Sequence, residues 1–260
     1  MNVRYYEIPE ERNLRVLDSV VRLYTEQAKP VSSAAVARDL GHIWSSATVR
    51  NVFSELELLG WLHQPHQASG RIPTEKGFRI FVEQIIRPGA QNRELDKLLE
   101  AELDLKTSTL PELLDEALNL VSRLSHALGI SLVVLNPEPS QSVRECRMTG
   151  VDELLEQPEF SDPKSLRGLI HLLQDSEPVG EYMEGQVAYP GQVKVLIGSE
   201  NSMDLLNSFS LVATRIRRSR ETALLGVMGP VRMEYSLVLG AMEGLTRLLS
   251  TDGESPKSWS

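Results

Sequence analysis

Residues 45–81, SSATVRNVFSELELLGWLHQPHQASGRIPTEKGFRIF, place short polar and cationic side chains where a surface that reads DNA needs them. At 3.6 residues per turn, Ala47, Arg50, Asn51 and Ser54 share one helix face. Such short or planar groups fit a major groove and reach phosphate or base edges. Ser45, Ser46 and Thr48 at the start of the same helix join the candidate contacts. Further along, His66, Gln67, Ser69, Gly70 and Arg71 fall at the end of a hairpin. There Gly70 would permit a tight turn, and Arg71 would enter a minor groove or clamp a phosphate. Lys76 and Arg79 project from the first turns of the next helix toward phosphate. Thr74 either caps that helix or touches DNA.

The elements that must hold these groups follow from capping and periodicity. Ser45 or Ser46 can cap the helix by accepting a backbone N–H, and Gly60 stands where a left-handed C-terminal residue belongs. Val49, Val52, Phe53, Leu56 and Leu59 predict its core side. A first amphipathic helix runs from about Glu10 to Glu26 on Leu14, Leu17, Val20, Val21 and Tyr24, and Pro30 stops it. Ser32 or Ser33 caps a short helix from Ala34 to Leu40, with a turn at Gly41–Trp44. Short helix, turn and capped helix make a helix-turn-helix. Trp61–Gln64 then reads as a strand, Pro65–Gly70 as a loop tip and Arg71-Ile72 as the return, which completes a winged helix.

Three blocks make the chain resemble the HrcA family of bacterial heat-inducible transcription repressors. They are SSATVRN through LELLGWLHQPHQASGRIPTEKGFRIFV, then LLEQPEFSDPKSLRGLIHLLQ (154–174), then IGSENSMDLLNSFSLV (197–212) with GVMGPVRMEYSLVLGAMEGLTRLLS (226–250). The resemblance implies an α+β protein: a winged helix-turn-helix at 1–88, a linker helix at 89–108 and a GAF-like oligomerisation domain at 109–250. It implies a homodimer on the CIRCE inverted-repeat operator, double-stranded DNA ahead of chaperone genes, with activity modulated by GroE chaperonin and heat. One departure is large. The family carries several strands and an inserted dimerisation domain between SLVVLNP (131–137) and LLEQPEF. Here Glu138–Glu153, about 16 residues, joins them. An abbreviated domain, an altered dimer interface and an incomplete sheet are therefore expected. A second departure is the basic run Arg215-Ile216-Arg217-Arg218-Ser219-Arg220.

Composition narrows the alternatives. At 260 residues, with 41% hydrophobic and 24% charged residues, the chain can bury a core in two domains. No apolar run is long enough to span a bilayer and MNVRYYEIPEERN lacks a signal-peptide core, so a cytoplasmic protein without membrane contact is expected. A single cysteine, Cys146, cannot form an internal disulfide. The net charge of −9 is uneven: residues 1–87 hold 11 Lys/Arg and 10 Asp/Glu, and the remainder 16 and 26. The acidic excess lies wholly outside the DNA-reading segment, yet +1 is not a strong basic patch. Nonspecific affinity should be modest, and recognition should lean on base contacts and on paired copies.

In the second half, QNRELDKLLEAELDL (91–105) predicts a charged helix, and Leu110–Leu128 a second one capped by Ser108 or Thr109 and ended by Gly129. Ile130–Leu135 and Val193–Ile197 read as strands, and Phe209–Ile216 with Thr222–Met228 as a hairpin turning at Arg217–Glu221. Helices follow at 163–174, with Leu166, Leu169, Ile170 and Leu173 inward, and at Met233–Leu249. Residues 251–260 read as a disordered tail. His63 and His66 lack the setting of a closed metal site, and there is no Gly-rich phosphate loop or GxSxG. No cofactor, metal or catalytic activity is expected. The competing functions are a ligand-sensing regulator using 109–250, and a paralogue that has lost dimerisation and reads single half-sites.

Overall fold

The computed structural model describes residues 11–86, 93–103, 109–135, 143–218 and 221–250. The boundary expected at Arg87-Pro88-Gly89, the Ser108 cap, the break at Pro137–Ser140 and the 251–260 tail lie outside those residues. The chain is mixed helix and sheet, and divides into two compact units, residues 1–85 and 86–260.

The first unit opens with α1 (Glu11–Gln27), α2 (Ser33–Asp39) and α3 (Ser46–Leu58). A hairpin follows, β1 (Leu62–His63) with β2 (Ile72–Pro73), and then α4 (Glu75–Ile85). Val16, Leu17, Val20 and Val21 of α1 are buried with Val36, Val49, Val52, Phe53, Leu56, Phe78, Phe81 and Val82. The helical spacing of these apolar residues is what makes the segments amphipathic. Of the alternative caps for α2, Ser32 is the one that accepts the Ala35 N–H, at 3.1 Å. Leu59 departs from expectation. It is the C-cap residue of α3 and 42% exposed, because the helix stops at Leu58 and Gly60 turns the chain at φ 72°.

The second unit begins with α5 (Arg93–Glu102) and α6 (Leu110–Ser125). Next come β3 (Leu128–Leu135), β4 (Val143–Thr149), α7 (Val151–Leu155), α8 (Pro163–Gln174) and α9 (Glu177–Gln186). The unit closes with β5 (Val193–Ile197), β6 (Phe209–Arg218), β7 (Glu221–Pro230) and α10 (Tyr235–Leu249). The five strands form one antiparallel sheet in the order β4-β3-β7-β6-β5. Helices cover both faces. Gly129 of β3 lies against Leu118 and Ser122 of α6, whereas Leu132 on the opposite face meets Gly180 of α9. Gly226 is bare because Met183 of α9 occupies the place a Cβ would take, with Cε 2.7 Å away.

The structure departs from the sequence pattern in several places. The sheet is not curtailed at β3: the stretch that reads as a connector contains β4, paired with β3 from Gly129↔Thr149 to Leu135↔Val143. Arg147 on this strand bonds Asp115 of α6 and Glu145. Helix α6 ends at Ser125 rather than Leu128, since His126 takes φ 50° and Leu128 already pairs with Met228. Ile170 is 45% exposed, and Leu169 and Leu172 are the buried residues of α8. Helix α9 carries no clear helical signal in the sequence, because two glycines and a proline interrupt its periodicity; Val179 and Met183 bury it.

Several polar groups inside this unit are paired. The Ser210 and Tyr235 hydroxyls lie 2.6 Å apart, and Tyr235 donates to the Val231 carbonyl at 2.8 Å. Thr214 meets Thr246 at 3.2 Å. Arg232 grips Glu159 at 2.5 and 2.9 Å and donates to Gln157 at 2.6 Å, tying the end of β7 to the 3-10 turn Pro158–Ser161. Arg232→Met should lower unfolding stability by about 2 kcal/mol, less than for a fully buried pair because Glu159 keeps some water contact. Urea titration followed by far-UV circular dichroism reads this.

Burial raises the carboxyl of Glu243 on α10 above its ordinary range; Arg247 opposes the shift and Asp96 adds to it. A group whose native pKa is raised disfavours the fold when ionised. The penalty is full above the native value and vanishes below the ordinary carboxylate range. Glu243→Gln should therefore raise the melting temperature at pH 8, with the gain disappearing in acid. An equal gain at both pH values would assign the effect to packing instead.

Candidate nucleic-acid interface

Helix α3 presents its polar face to solvent. Ala47, Arg50, Asn51 and Ser54 are all exposed, while Val49, Val52, Phe53 and Leu56 are buried beneath them. Ser45 caps the helix, its Oγ accepting the Thr48 N–H at 3.1 Å and lying 3.0 Å from the Thr48 hydroxyl. Ser46 is turned inward to Ser33, with hydroxyls 2.8 Å apart, so it fastens α3 to α2. Ser54 donates to the Arg50 carbonyl at 3.3 Å. Among the described residues no partner engages the Arg50 guanidinium or the Asn51 carboxamide. These are the two groups on the face able to make paired hydrogen bonds. Leu58, one turn beyond Ser54, is 89% exposed and closes the face with an apolar end.

The helix is held from behind by charge. Glu55 accepts from Asn13 at 3.1 Å and from Arg12 at 3.4 Å, and Asp39 accepts from Ser19 at 2.6 Å and Arg22 at 2.9 Å. Arg15 lies 5.4 Å over the Trp44 ring, packing the inter-helix turn against α1. The cations of α1 thus act within the unit. Arg38, exposed on α2, joins Arg50 as a cation without a partner among the described residues, and no local pattern in the sequence marks it.

The hairpin differs from expectation at its end. His66, Gln67 and Ala68 are its exposed residues, and the left-handed turn is at Ala68, φ 66°, not at Gly70. Ser69 ties the loop to itself, donating to the His66 carbonyl at 2.6 Å and accepting the His66 N–H at 3.2 Å. Gly70 serves close approach rather than turning: a Cβ there would sit 2.3 Å from the Val31 carbonyl oxygen. Arg71 is not at the tip. Its N–H and C=O both pair with Val31 at 2.8 Å, and its guanidinium turns inward to Glu57 at 3.0 Å, 5.9 Å from the Phe53 ring.

At the base of the hairpin Thr74 is a cap. It accepts the Gly77 N–H at 3.1 Å and donates to the Gly60 carbonyl at 2.7 Å. Gly77 lets α4 meet the backbone of Trp61, whose oxygen would lie 2.1 Å from a Cβ. Lys76 is exposed but donates to the Leu59 carbonyl at 2.9 Å, where the negative end of α3's dipole attracts a cation. His63 and His66 are exposed, and among the described residues no group of three or more His, Cys, Asp or Glu could hold a metal. No helix among those residues is long and apolar enough to cross a membrane.

The sequence matches the family described as "HrcA protein C terminal domain" over residues 84–239, more than half of the chain. The chain belongs to the HrcA family. Its similarity to full-length HrcA proteins extends beyond that domain. It is 26% identical over 333 residues to the "Heat-inducible transcription repressor HrcA" of Desulforudis audaxviator, covering 93% of this chain and 97% of that protein. The protein of the same description from Syntrophobacter fumaroxidans is 26% identical over 343 residues, with 95% and 98% covered. Because 93% of 260 residues is about 242, roughly 90 of the 333 aligned positions face gaps in this chain. Among HrcA relatives it is thus a shortened member. A crystal structure of a protein described as hypothetical, 20% identical, superposes with a TM-score of 0.75 over 93% of this chain and 97% of that one. That likeness extends to the fold.

The close approach at the hairpin is directly testable. Gly70→Ala should destabilise the protein by about 1–3 kcal/mol, the usual cost of forcing atoms into a packed site. Gly60→Ala, whose Cβ would meet nothing within 4 Å, costs only the strain of its left-handed backbone. Melting temperatures of the two variants, compared side by side, check this ordering.

Proposed function

We propose that this chain is a sequence-specific, heat-inducible transcription repressor. In this reading it binds a CIRCE-type inverted repeat ahead of chaperone genes as a homodimer in the cytoplasm. The observation that carries the reading is the exposed face of α3. A capped helix, braced on its far side, offers Arg50 and Asn51 to solvent with no internal partner, beside a hairpin whose exposed end is His66-Gln67-Ala68. An Asn carboxamide can pair with adenine and an Arg fork with guanine in a major groove. The descriptions of the HrcA relatives support the same reading. Ala47, Arg50, Asn51 and Ser54 are the groove-facing set, His66 and Gln67 the hairpin contacts, and Lys76 a phosphate contact. Ser45, Ser46, Thr48, Ser69 and Gly70 hold those groups in place. No catalytic role or cofactor enters this account.

Two copies on a palindrome place two recognition helices on half-sites related by a two-fold axis. GroE chaperonin, by maintaining the folded repressor, would set the active fraction, and heat that diverts chaperonin would lower it. A change of about 1–2 kcal/mol in stability is enough to alter that fraction several-fold.

Fluorescence anisotropy at one salt concentration tests the proposal with three duplexes: the inverted repeat, one half-site and a scrambled control. Tight binding to the repeat by two chains is expected. Equal weak binding to repeat and half-site would instead favour a reader that the shortened middle has left monomeric. Binding without preference would remove the repressor reading. Asn51→Ala should cost about 1–3 kcal/mol on the repeat and flatten sequence preference, whereas Lys76→Ala should weaken every duplex alike.

A further inference from the structure

We infer that the Glu57–Arg71 ion pair is a positioning lock that fixes the hairpin relative to the recognition helix, and so sets which sequences both can read together. The inference rests on the DNA-binding reading and deepens it. It also gives Arg71 a different task from the groove contact that its place in the sequence implies.

The hairpin cannot orient itself. Its ladder has two residue pairs, Leu62↔Pro73 and His63↔Ile72, and Pro73 has no N–H to donate. A two-residue ladder leaves the loop free to pivot unless something else holds it. Arg71 supplies that restraint from four directions. Its backbone is bonded both ways to Val31. Its side chain, 14% exposed, reaches Glu57 in the last turn of α3 at 3.0 Å. Its guanidinium lies 5.9 Å from the Phe53 ring, one turn earlier on the same helix. Its Nη1 donates to the Ser69 carbonyl at 3.4 Å, which also accepts from Gln64 at 3.2 Å.

The contacts connect end to end. Glu57 holds Arg71, Arg71 holds the Ser69 backbone, and the Ser69 hydroxyl holds His66, which adjoins Gln67 at the exposed end. The helix that would enter one groove is therefore wired to the loop that would enter the next. A guanidinium shared by a carboxylate, an aromatic ring and a carbonyl is poorly placed to meet phosphate. Its planar fork is suited to such fixed, multi-partner geometry.

Sign separates the lock from a direct contact. Glu57→Gln removes a negative charge near DNA. If Arg71 were a phosphate contact restrained by Glu57, the variant would bind every duplex more tightly. If the pair is a lock, the variant binds the operator less tightly despite its gain in charge. The experiment measures anisotropy of the inverted repeat and scrambled duplex across a salt series, for wild type, Glu57→Gln, Arg71→Met and the reversed pair Glu57→Arg/Arg71→Glu. Melting temperatures are recorded for each.

Operator affinity should fall about tenfold in Glu57→Gln and in Arg71→Met, a factor within the coupling range of contacting residues. Scrambled binding and the salt slope should stay at wild-type values. The reversed pair should regain operator preference relative to either single change, a rescue that a lost phosphate contact cannot give. Tighter binding of all duplexes by Glu57→Gln, or a salt slope reduced by about 1 in Arg71→Met, would overturn the lock. So would a reversed pair that melts like wild type yet binds no better than the single variants. A wild-type chain indifferent to the operator would overturn the DNA-binding reading, and the lock's role with it.

Discussion

Two backbone segments of the first unit meet more closely than any side chain would allow, and its working surface depends on that approach. Gly70 lies against the Val31 carbonyl and Gly77 against that of Trp61. The first contact brings the return leg of the hairpin beside the segment leading into α2. The second brings the start of α4 beside the segment leaving α3. Together they seat the hairpin between the helices that carry the candidate contacts. A methyl group at either place would have to displace backbone, not a flexible side chain. The geometry is therefore set by steric exclusion before any charge acts.

Charge then refines what close packing permits. The first unit has nearly balanced acids and bases, and the structure shows where they go. Glu55, Glu57 and Asp39 each draw a cation inward, from Arg12, Arg71 and Arg22. Among the described residues, the exposed cations left without a partner are few, Lys29, Arg38 and Arg50, with Lys76 tethered at the end of α3. A surface with so few free cations gains little from counterion release. If it reads DNA, hydrogen bonds to base edges and duplication of the site must supply the affinity. That agrees with the proposed dimer on an inverted repeat.

The second unit builds a five-stranded sheet in a chain shorter than its relatives. About 90 aligned positions of a relative have no counterpart here, and this chain forms five antiparallel strands covered on both faces. Strand β4 makes this possible. It pairs with β3 over seven positions, and its Arg147 is met by Asp115 of α6. The buried hydroxyl pairs between β6 and α10, and the Arg232–Glu159 clamp, give that sheet specific rather than merely apolar attachments.

Elements whose signals are local are legible in the amino-acid order alone. A serine cap at 45 or 46, the stop at Gly60, the apolar spacing through Leu56 and the hairpin of β6 with β7 all follow from neighbours within one or two turns, while the choice of Ser45 over Ser46 came from the packing of Ser46 on Ser33. The outward face of Ala47, Arg50, Asn51 and Ser54 is equally local, since helical period alone assigns it. Three compositional blocks also placed the chain in its family. Tertiary structure decided whatever depended on a partner far along the chain. Strand β4 reads as a polar connector until β3 lies beside it, and α9 lacks periodicity until Val179 and Met183 meet the sheet. Arg71 reads as a loop cation because nothing near it in sequence is acidic on the correct side. Its partner, Glu57, lies fourteen residues earlier and comes within 3.0 Å only once the hairpin folds back on α3. Periodicity assigns a side chain to a face, but only the packed backbone determines what that face meets.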